Sequence, residues 1–223
     1  MGSNDTGLRK TCILKIIFNY PDYILSDQTE KELIKSDIIG KELFTGQDIK
    51  NRISELGREI TRDYKYKNLL LVSILRGGVI FLADLSKEID LLLSIDFMSI
   101  STYGINDTST GVVRITKDLD ESIEGKDVLI VEDIIDTGLT ISYLLRNLKS
   151  RFPRSIEICT LLDRDVRRIA EINIKYAGFK IGEKYIVGYG LDYKQKFRNL
   201  QSIYELRLDT VKKDIESLKS SSI

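Results

Sequence analysis

The stretch Val128-Leu129-Ile130-Val131-Glu132-Asp133-Ile134-Ile135-Asp136-Thr137-Gly138-Leu139-Thr140 joins an apolar run to a turn dense in carboxylates and hydroxyls. Its four leading apolar residues predict a strand buried on both faces. Glu132 and Asp133 follow at the C-terminal end of that strand, where open α/β sheets bind their ligands. Ile134 to Gly138 reads as the turn, and a helix opens beyond it. Gly138 permits close backbone approach, the first helical amides point outward, and the hydroxyls of Thr137 and Thr140 add donors. Together they form an anion cradle suited to a phosphate monoester. The adjacent carboxylate pair suits a sugar diol or a Mg²⁺ ion. A plainer alternative makes Asp136 the N-cap of the helix. A cap accounts for one Asp, but not for three carboxylates between positions 132 and 136 beside an apolar strand.

Outward from this stretch the pattern repeats. Residues 69–75, Leu-Leu-Leu-Val-Ser-Ile-Leu, form another continuous apolar run, broken by Arg76-Gly77-Gly78 before a helical segment at 79–89. Before it, Thr45 or Gly46 caps a helix with Ile49, Ile53, Leu56 and Ile60 at three- and four-residue spacing. A β-run at 91–101 ends at Thr102-Tyr103-Gly104, and 105–111 is a loop of turn formers. Residues 112–119 read as a strand. After the central motif come a helix at 139–152 ending near Pro153, a strand at 155–163 and a basic helical segment at 166–172. β-like segments follow at 174–181 and 184–193. Strands alternating with helices imply βαβ units, so the expected fold is α/β with a mostly parallel twisted sheet flanked by helices. Residues 1–37 form an irregular N-terminal extension and 38–205 the main domain. In 206–223, Leu208, Val211, Ile215 and Leu218 share one stripe of an expected docked C-terminal helix.

Composition removes whole classes of chemistry. The chain has no His, which excludes Ser-His-Asp and Cys-His catalysis, HExxH zinc sites and imidazole proton transfer. Chemistry must rest on carboxylates, Lys, Arg, Tyr, hydroxyls, backbone amides or an oxygen-held metal. Lys plus Arg and Asp plus Glu each total 34, and this zero net charge argues against a nucleic-acid partner. Cys12 and Cys159 lie in apolar runs without metal-ligand spacing and are expected to be buried free thiols. No apolar run reaches the roughly 18 residues that span a bilayer. The apolar patch at 12–18 leads into Asn19-Tyr20-Pro21 and not a small-residue cleavage site, so a cytoplasmic protein is expected, with no membrane partner.

The motif Glu132-Asp133-Ile134-Ile135-Asp136-Thr137-Gly138 resembles the 5-phosphoribosyl-1-pyrophosphate (PRPP) motif of type I phosphoribosyltransferases, in the variant found in hypoxanthine-guanine phosphoribosyltransferases. Ser73-Ile74-Leu75-Arg76-Gly77-Gly78 is similar to the family's pyrophosphate loop, and Ser101-Thr102-Tyr103-Gly104 to its flexible catalytic loop. Residues 185–193 and Phe197-Arg198-Asn199-Leu200 resemble its purine-site and C-terminal motifs. Order and spacing match from about Ile39 to Asn199. The resemblance implies the family fold, with a small hood built from N- and C-terminal segments. It also implies Mg²⁺-dependent transfer of the phosphoribosyl group from PRPP to N9 of hypoxanthine or guanine, releasing pyrophosphate and a nucleotide.

The resemblance further assigns roles. Asp136, Thr137, Gly138, Leu139 and Thr140 would wrap the 5′-phosphate. Glu132 and Asp133 would face the ribose hydroxyls and the metal, and Asp136 would also exchange a proton with purine N7. Leu75, Arg76 and Gly77 would contact pyrophosphate through a strained or cis Leu75-Arg76 peptide, with Arg198 as a further partner. Ser101, Thr102, Tyr103 and Gly104 would close over the transition state. Tyr185 would stack on the purine beside Ile186, and Asp192 would border the purine and reach Mg²⁺. Arg164 stands where the family usually has the Lys that donates to the oxygen at purine C6, and its planar fork differs from an ammonium. A xanthine-preferring enzyme and a nucleotide-sensing RNA-binding regulator are the competing expectations, and a homodimer or homotetramer is implied by resemblance.

Overall fold

The structure is a computed structural model that describes residues 38–103 and 112–207. The N-terminal extension, the 105–111 loop with Gly104, and the 208–223 segment expected to be helical lie outside the described residues, as does Cys12.

Strand β2 (Leu69–Leu75) is apolar at every position but Ser73 because both of its faces are covered. Leu69 and Leu71 enter one core with β5 (Asp127–Ile135) residues Leu129 and Val131, while Leu70, Val72 and Ile74 enter a second core with Val128 and Ile130. The first core is closed by α1 (Gly46–Asp63), through Ile49, Ile53, Leu56 and Ile60, and by α2 (Val79–Glu88), through Phe81, Leu82 and Leu85. The second is closed by Ile141, Leu144 and Leu148 of α3 (Leu139–Lys149). Each such side chain stabilises the fold by roughly 1.5–3 kcal/mol when fully buried. Helix α1 starts where expected, with Thr45 and Asp48 forming a capping box.

With β3 (Ser94–Tyr103), β4 (Val112–Lys117), β6 (Ser155–Asp163) and β7 (Tyr176–Lys180), these strands make a six-stranded sheet of order β4-β3-β2-β5-β6-β7. All pairings in it are parallel except β3 with β4. The chain leaves β2 for β3 through α2 and leaves β5 for β6 through α3, on opposite faces. The switch point therefore lies between β2 and β5, and their C-terminal ends open the crevice. A second antiparallel sheet, β1 (Ile39–Phe44), β9 (Ile203–Leu206) and β8 (Ile186–Val187), supplies the hood.

Several expectations are corrected. The 166–172 segment is a single 3-10 turn at Asp165–Arg167 followed by irregular chain. The amides of Ile169 and Ala170, which a helix would use internally, both donate to Thr137 O. The run at 91–101 becomes strand only from Ser94. Tyr204, Glu205 and Leu206 extend β9 and do not begin a helix. Cys159 is a buried free thiol, as expected. Among the described residues no helix is long and apolar enough to cross a membrane.

Candidate active site

The C-terminal ends of the neighbouring strands β2 and β5 open onto a cleft of about 310 Å³. Leu75, Arg76 and Gly77 line one side, and Glu132, Asp133, Asp136, Thr137, Gly138 and Thr140 the other. The Leu75-Arg76 peptide is cis. Gly77 is required by what faces it: a Cβ there would stand 1.8 Å from Asp133 Oδ2. The two motifs are thus in contact although 56 positions apart in the chain (133 − 77).

Burial dominates the acidic pair. Desolvation, reinforced by the Asp133 charge, pushes the Glu132 carboxyl well above the ordinary range. Desolvation lifts Asp133 to about 6, against hydrogen bonds from the Ile134 amide and its own and against the nearby Arg198 charge. Two desolvated carboxyls side by side favour a cation or hydroxyl donors between them.

Asp136 does not cap α3. Strand β5 runs on through Ile135, whose partner in β6 is Asp163, so the turn contracts to Asp136-Thr137-Gly138. Gly138 occupies the cap position in the left-handed region, with φ 80°. The Asp136 carboxylate is instead held by Arg164 Nη1 at 3.0 Å and Arg167 at 3.3 Å, both on Oδ2. Arg164 Nη2 donates to Lys184 O at 2.5 Å, which ties this pair to the residue before Tyr185. Asp136 Oδ1 and Arg164 Nε are both shut off from solvent with no hydrogen-bond partner. Such orphans are uncommon and mark places where a ligand or water completes the network.

Arg168 was not singled out from the sequence. Its Nε donates to Asp136 O at 2.9 Å, and its Nη2 to Asp163 Oδ1 at 2.5 Å. With the two amides on Thr137 O, it occupies the carbonyls of Asp136 and Thr137 and so braces the turn. Only the basic character of 164–168 signalled it.

Asp192 and Arg198 meet at 2.6 Å on the loop after β8. Gln195 Oε1 accepts from Arg198 at 3.1 Å and from Arg76 at 3.3 Å, which joins that loop to the one after β2. The expected three-carboxylate metal set is not formed: among the described residues no three acidic side chains group closely enough to hold an ion. Asp192 is engaged by Arg198 and by the Gln195 amide at 2.8 Å. The pair that remains still fits Mg²⁺, which usually takes one or two carboxylates and completes its shell with waters and substrate phosphates. Tyr185 is half exposed, whereas the Ile186 side chain is buried in the main core. Leu139 points outward and does not line the cleft. Ser101, with a buried and unpartnered Oγ, precedes Thr102 and Tyr103 at the end of β3, where they pair with Val113 and Val112.

A hydroxyl-rich turn, a partly buried acidic pair and an Arg-bearing loop meet at one switch point of an α/β sheet. Residues 40–194 match the phosphoribosyl transferase domain, and the chain belongs to that family. Within it, the relatives are hypoxanthine-guanine phosphoribosyltransferases. That of Mycobacterium avium is 50% identical over 167 residues, covering 72% of this chain and 82% of the relative. Among solved structures, a hypoxanthine phosphoribosyltransferase from Staphylococcus aureus superposes with a TM-score of 0.77 at 48% identity, covering 80% of this chain and 96% of the other. A Trypanosoma cruzi hypoxanthine phosphoribosyl transferase, studied for the role of its C-terminal region in oligomeric state and activity, gives a TM-score of 0.76 at 36% identity, covering 80% and 97%.

Proposed function

We propose that the chain is a purine salvage enzyme that transfers the phosphoribosyl group of PRPP to N9 of hypoxanthine or guanine. The observation that carries this is the pair of orphaned atoms within one ion pair: Asp136 Oδ1, an acceptor, and Arg164 Nε, a donor. A 6-oxopurine presents the complement along one edge, N7–H beside the oxygen at C6. The 5′-phosphate is taken by the turn and helix start at Thr137, Gly138, Leu139 and Thr140, braced by Arg168 on Asp136 O. Glu132 and Asp133 accept from the ribose hydroxyls. Arg76, Gly77 and Arg198 receive the pyrophosphate. N9 forms its bond to C1′ as the bond from C1′ to pyrophosphate breaks, and the N7 proton passes to Asp136. The segment that begins at Ser101, at the end of β3, would exclude water while C1′ is electron-poor.

Glu132 and Asp133 would hold Mg²⁺, which when bound would neutralise the leaving pyrophosphate, while Asp192 stays on Arg198. Tyr185 stacks on the base, its position steadied by the buried side chain of Ile186. Against the main alternatives, the relatives are named hypoxanthine-guanine phosphoribosyltransferases. A homodimer or homotetramer and a cytoplasmic setting go with this function; the Trypanosoma cruzi relative is one in which oligomeric state has been studied.

Incubation of the protein with PRPP, Mg²⁺ and hypoxanthine tests the proposal. Equal amounts of nucleotide and pyrophosphate, lost on chelation and regained with Mg²⁺, are expected. No nucleotide with hypoxanthine or guanine contradicts it.

A further inference from the structure

We propose that Tyr189 and Asp84 form a tether that positions the pyrophosphate side of the site; this rests on the phosphoribosyl-transfer function proposed above. Tyr189 follows β8 and donates its hydroxyl to Asp84 Oδ2 at 2.7 Å. Asp84 lies on α2, the helix that begins directly after Arg76-Gly77-Gly78. One helix therefore carries both the pyrophosphate loop and the anchor of the loop opposite it.

What Tyr189 holds is the Arg198 segment. Tyr189 N donates to Leu200 O at 2.9 Å, Gly190 N to Arg198 O at 2.9 Å, and Arg198 Nη1 back to Gly190 O at 2.7 Å. Gly190 lies so close to the pyrophosphate loop that a Cβ on it would stand 2.2 Å from Gly77 O. Arg198 grips Asp192, and Gln195 Oε1 bridges Arg198 to Arg76. The contacts form a ring, from Asp84 through Tyr189, Gly190, Arg198 and Gln195 to Arg76, closed by α2.

The tyrosine needs such an anchor. Its φ of 50° lies in the left-handed region, which non-glycine residues rarely adopt. A second cleft, of about 560 Å³, opens against the same contact, bordered by Lys50, Lys87 and Gln201 as well as Asp84 and Tyr189. The Tyr189 side chain is buried in the main core, so packing holds the ring while the hydroxyl bond fixes its tip on α2 beside that cleft. Lys87, at 3.1 Å from Asp84 Oδ1, steadies the acceptor. Tyr189 and Asp84 touch no proposed substrate position and act through Gly190 and Arg198 as positioning residues.

The test is Tyr189→Phe, with Asp84→Ala and Asp84→Asn. Loss of a hydrogen bond to a charged acceptor predicts a rise of about tenfold in KM for PRPP and in Kd for pyrophosphate. KM for hypoxanthine should move little, and Tm should fall by no more than the several degrees that one lost hydrogen bond costs. Asp84→Ala should reproduce the effect, Asp84→Asn, which keeps an acceptor, should restore near-normal values, and the Phe/Ala double variant should add nothing further. Amide exchange at Gly190 and Gln195 should quicken in Tyr189→Phe while the β2 and β5 amides stay protected. That readout decides the tether even if wild type transfers no phosphoribosyl group, a result that would count against the proposed function alone. Unchanged exchange at Gly190 and Gln195, or an equal rise in KM for PRPP and for the purine, would overturn the tether.

Discussion

Arg164 Nη1 donates to Asp136 Oδ2 at 3.0 Å, joining the residue proposed to take the purine proton to the residue proposed to read the purine oxygen. Because both lie in one ion pair, the proposed base selection and proton transfer would be set by one geometry. On the proposed function, the remaining orphans, one donor and one acceptor, would select the edge of the base.

Asp136→Asn keeps the shape of the turn and an acceptor for Arg164 but removes the proton acceptor. General acid–base catalysis contributes about 10²–10⁴-fold, so kcat should fall by about that factor with a folded protein. A kcat within about threefold of wild type, by the spectrophotometric assay, would show that Asp136 only organises the turn.

Arg164→Lys replaces a fork that donates at once to Asp136 and to Lys184 O by one ammonium. The expected result is altered relative kcat/KM among hypoxanthine, guanine and xanthine, with KM for PRPP little changed. A shift in PRPP binding with base preference intact would place Arg164 on the phosphate side.

Gly77→Ala introduces a Cβ 1.8 Å from Asp133 Oδ2, so the carboxyl or the loop must shift. A misplacement of about 1 Å can lower the rate by about 10²-fold, and a loss of that order in kcat/KM for PRPP is expected. Retention of near-normal kcat/KM would show that the close approach is not used.

The fold was largely legible because its strands are buried on both faces. The apolar runs at 69–75 and 155–163 gave their boundaries directly. Strand β1 was missed: its IGKELF sequence is half exposed and lacks clean alternation, and its pairing with β9 depends on residues more than 150 positions away. The 166–172 segment reads as a basic helix, yet its amides and Arg168 are claimed by the turn at Asp136 and Thr137. The acidic motif was readable as a site. That Asp136 faces Arg164 and not the helix amides follows from how far β5 extends beside β6, which no local pattern records.

Asp133 makes stability depend on pH. Its folded-state value, about 6, lies above its ordinary 3.8, so the folded protein holds the proton more tightly and this contribution is lost as pH rises from about 4 to about 6. Glu132, also raised, acts in the same direction. Asp133→Asn should therefore raise Tm at pH 7 relative to wild type by more than it does at pH 4, while abolishing transfer. The gain corresponds to at most about 3 kcal/mol for a two-unit shift. Thermal melts across this range that show no pH-dependent gain would contradict the burial of an ionisable pair.

The most direct measurement supplies one enzyme preparation, PRPP and Mg²⁺ with hypoxanthine, guanine, xanthine and adenine in turn, and follows nucleotide formation. Arg164 has no acceptor, so an amino group at C6 leaves two donors opposed, and a site built on such a bond can discriminate by up to about 10⁴-fold. Turnover with hypoxanthine or guanine and none detectable with adenine is the predicted result. Adenine used as well as the 6-oxopurines, or no turnover with any base, would contradict the pairing of Asp136 and Arg164 with the N7–H and C6 oxygen of the substrate.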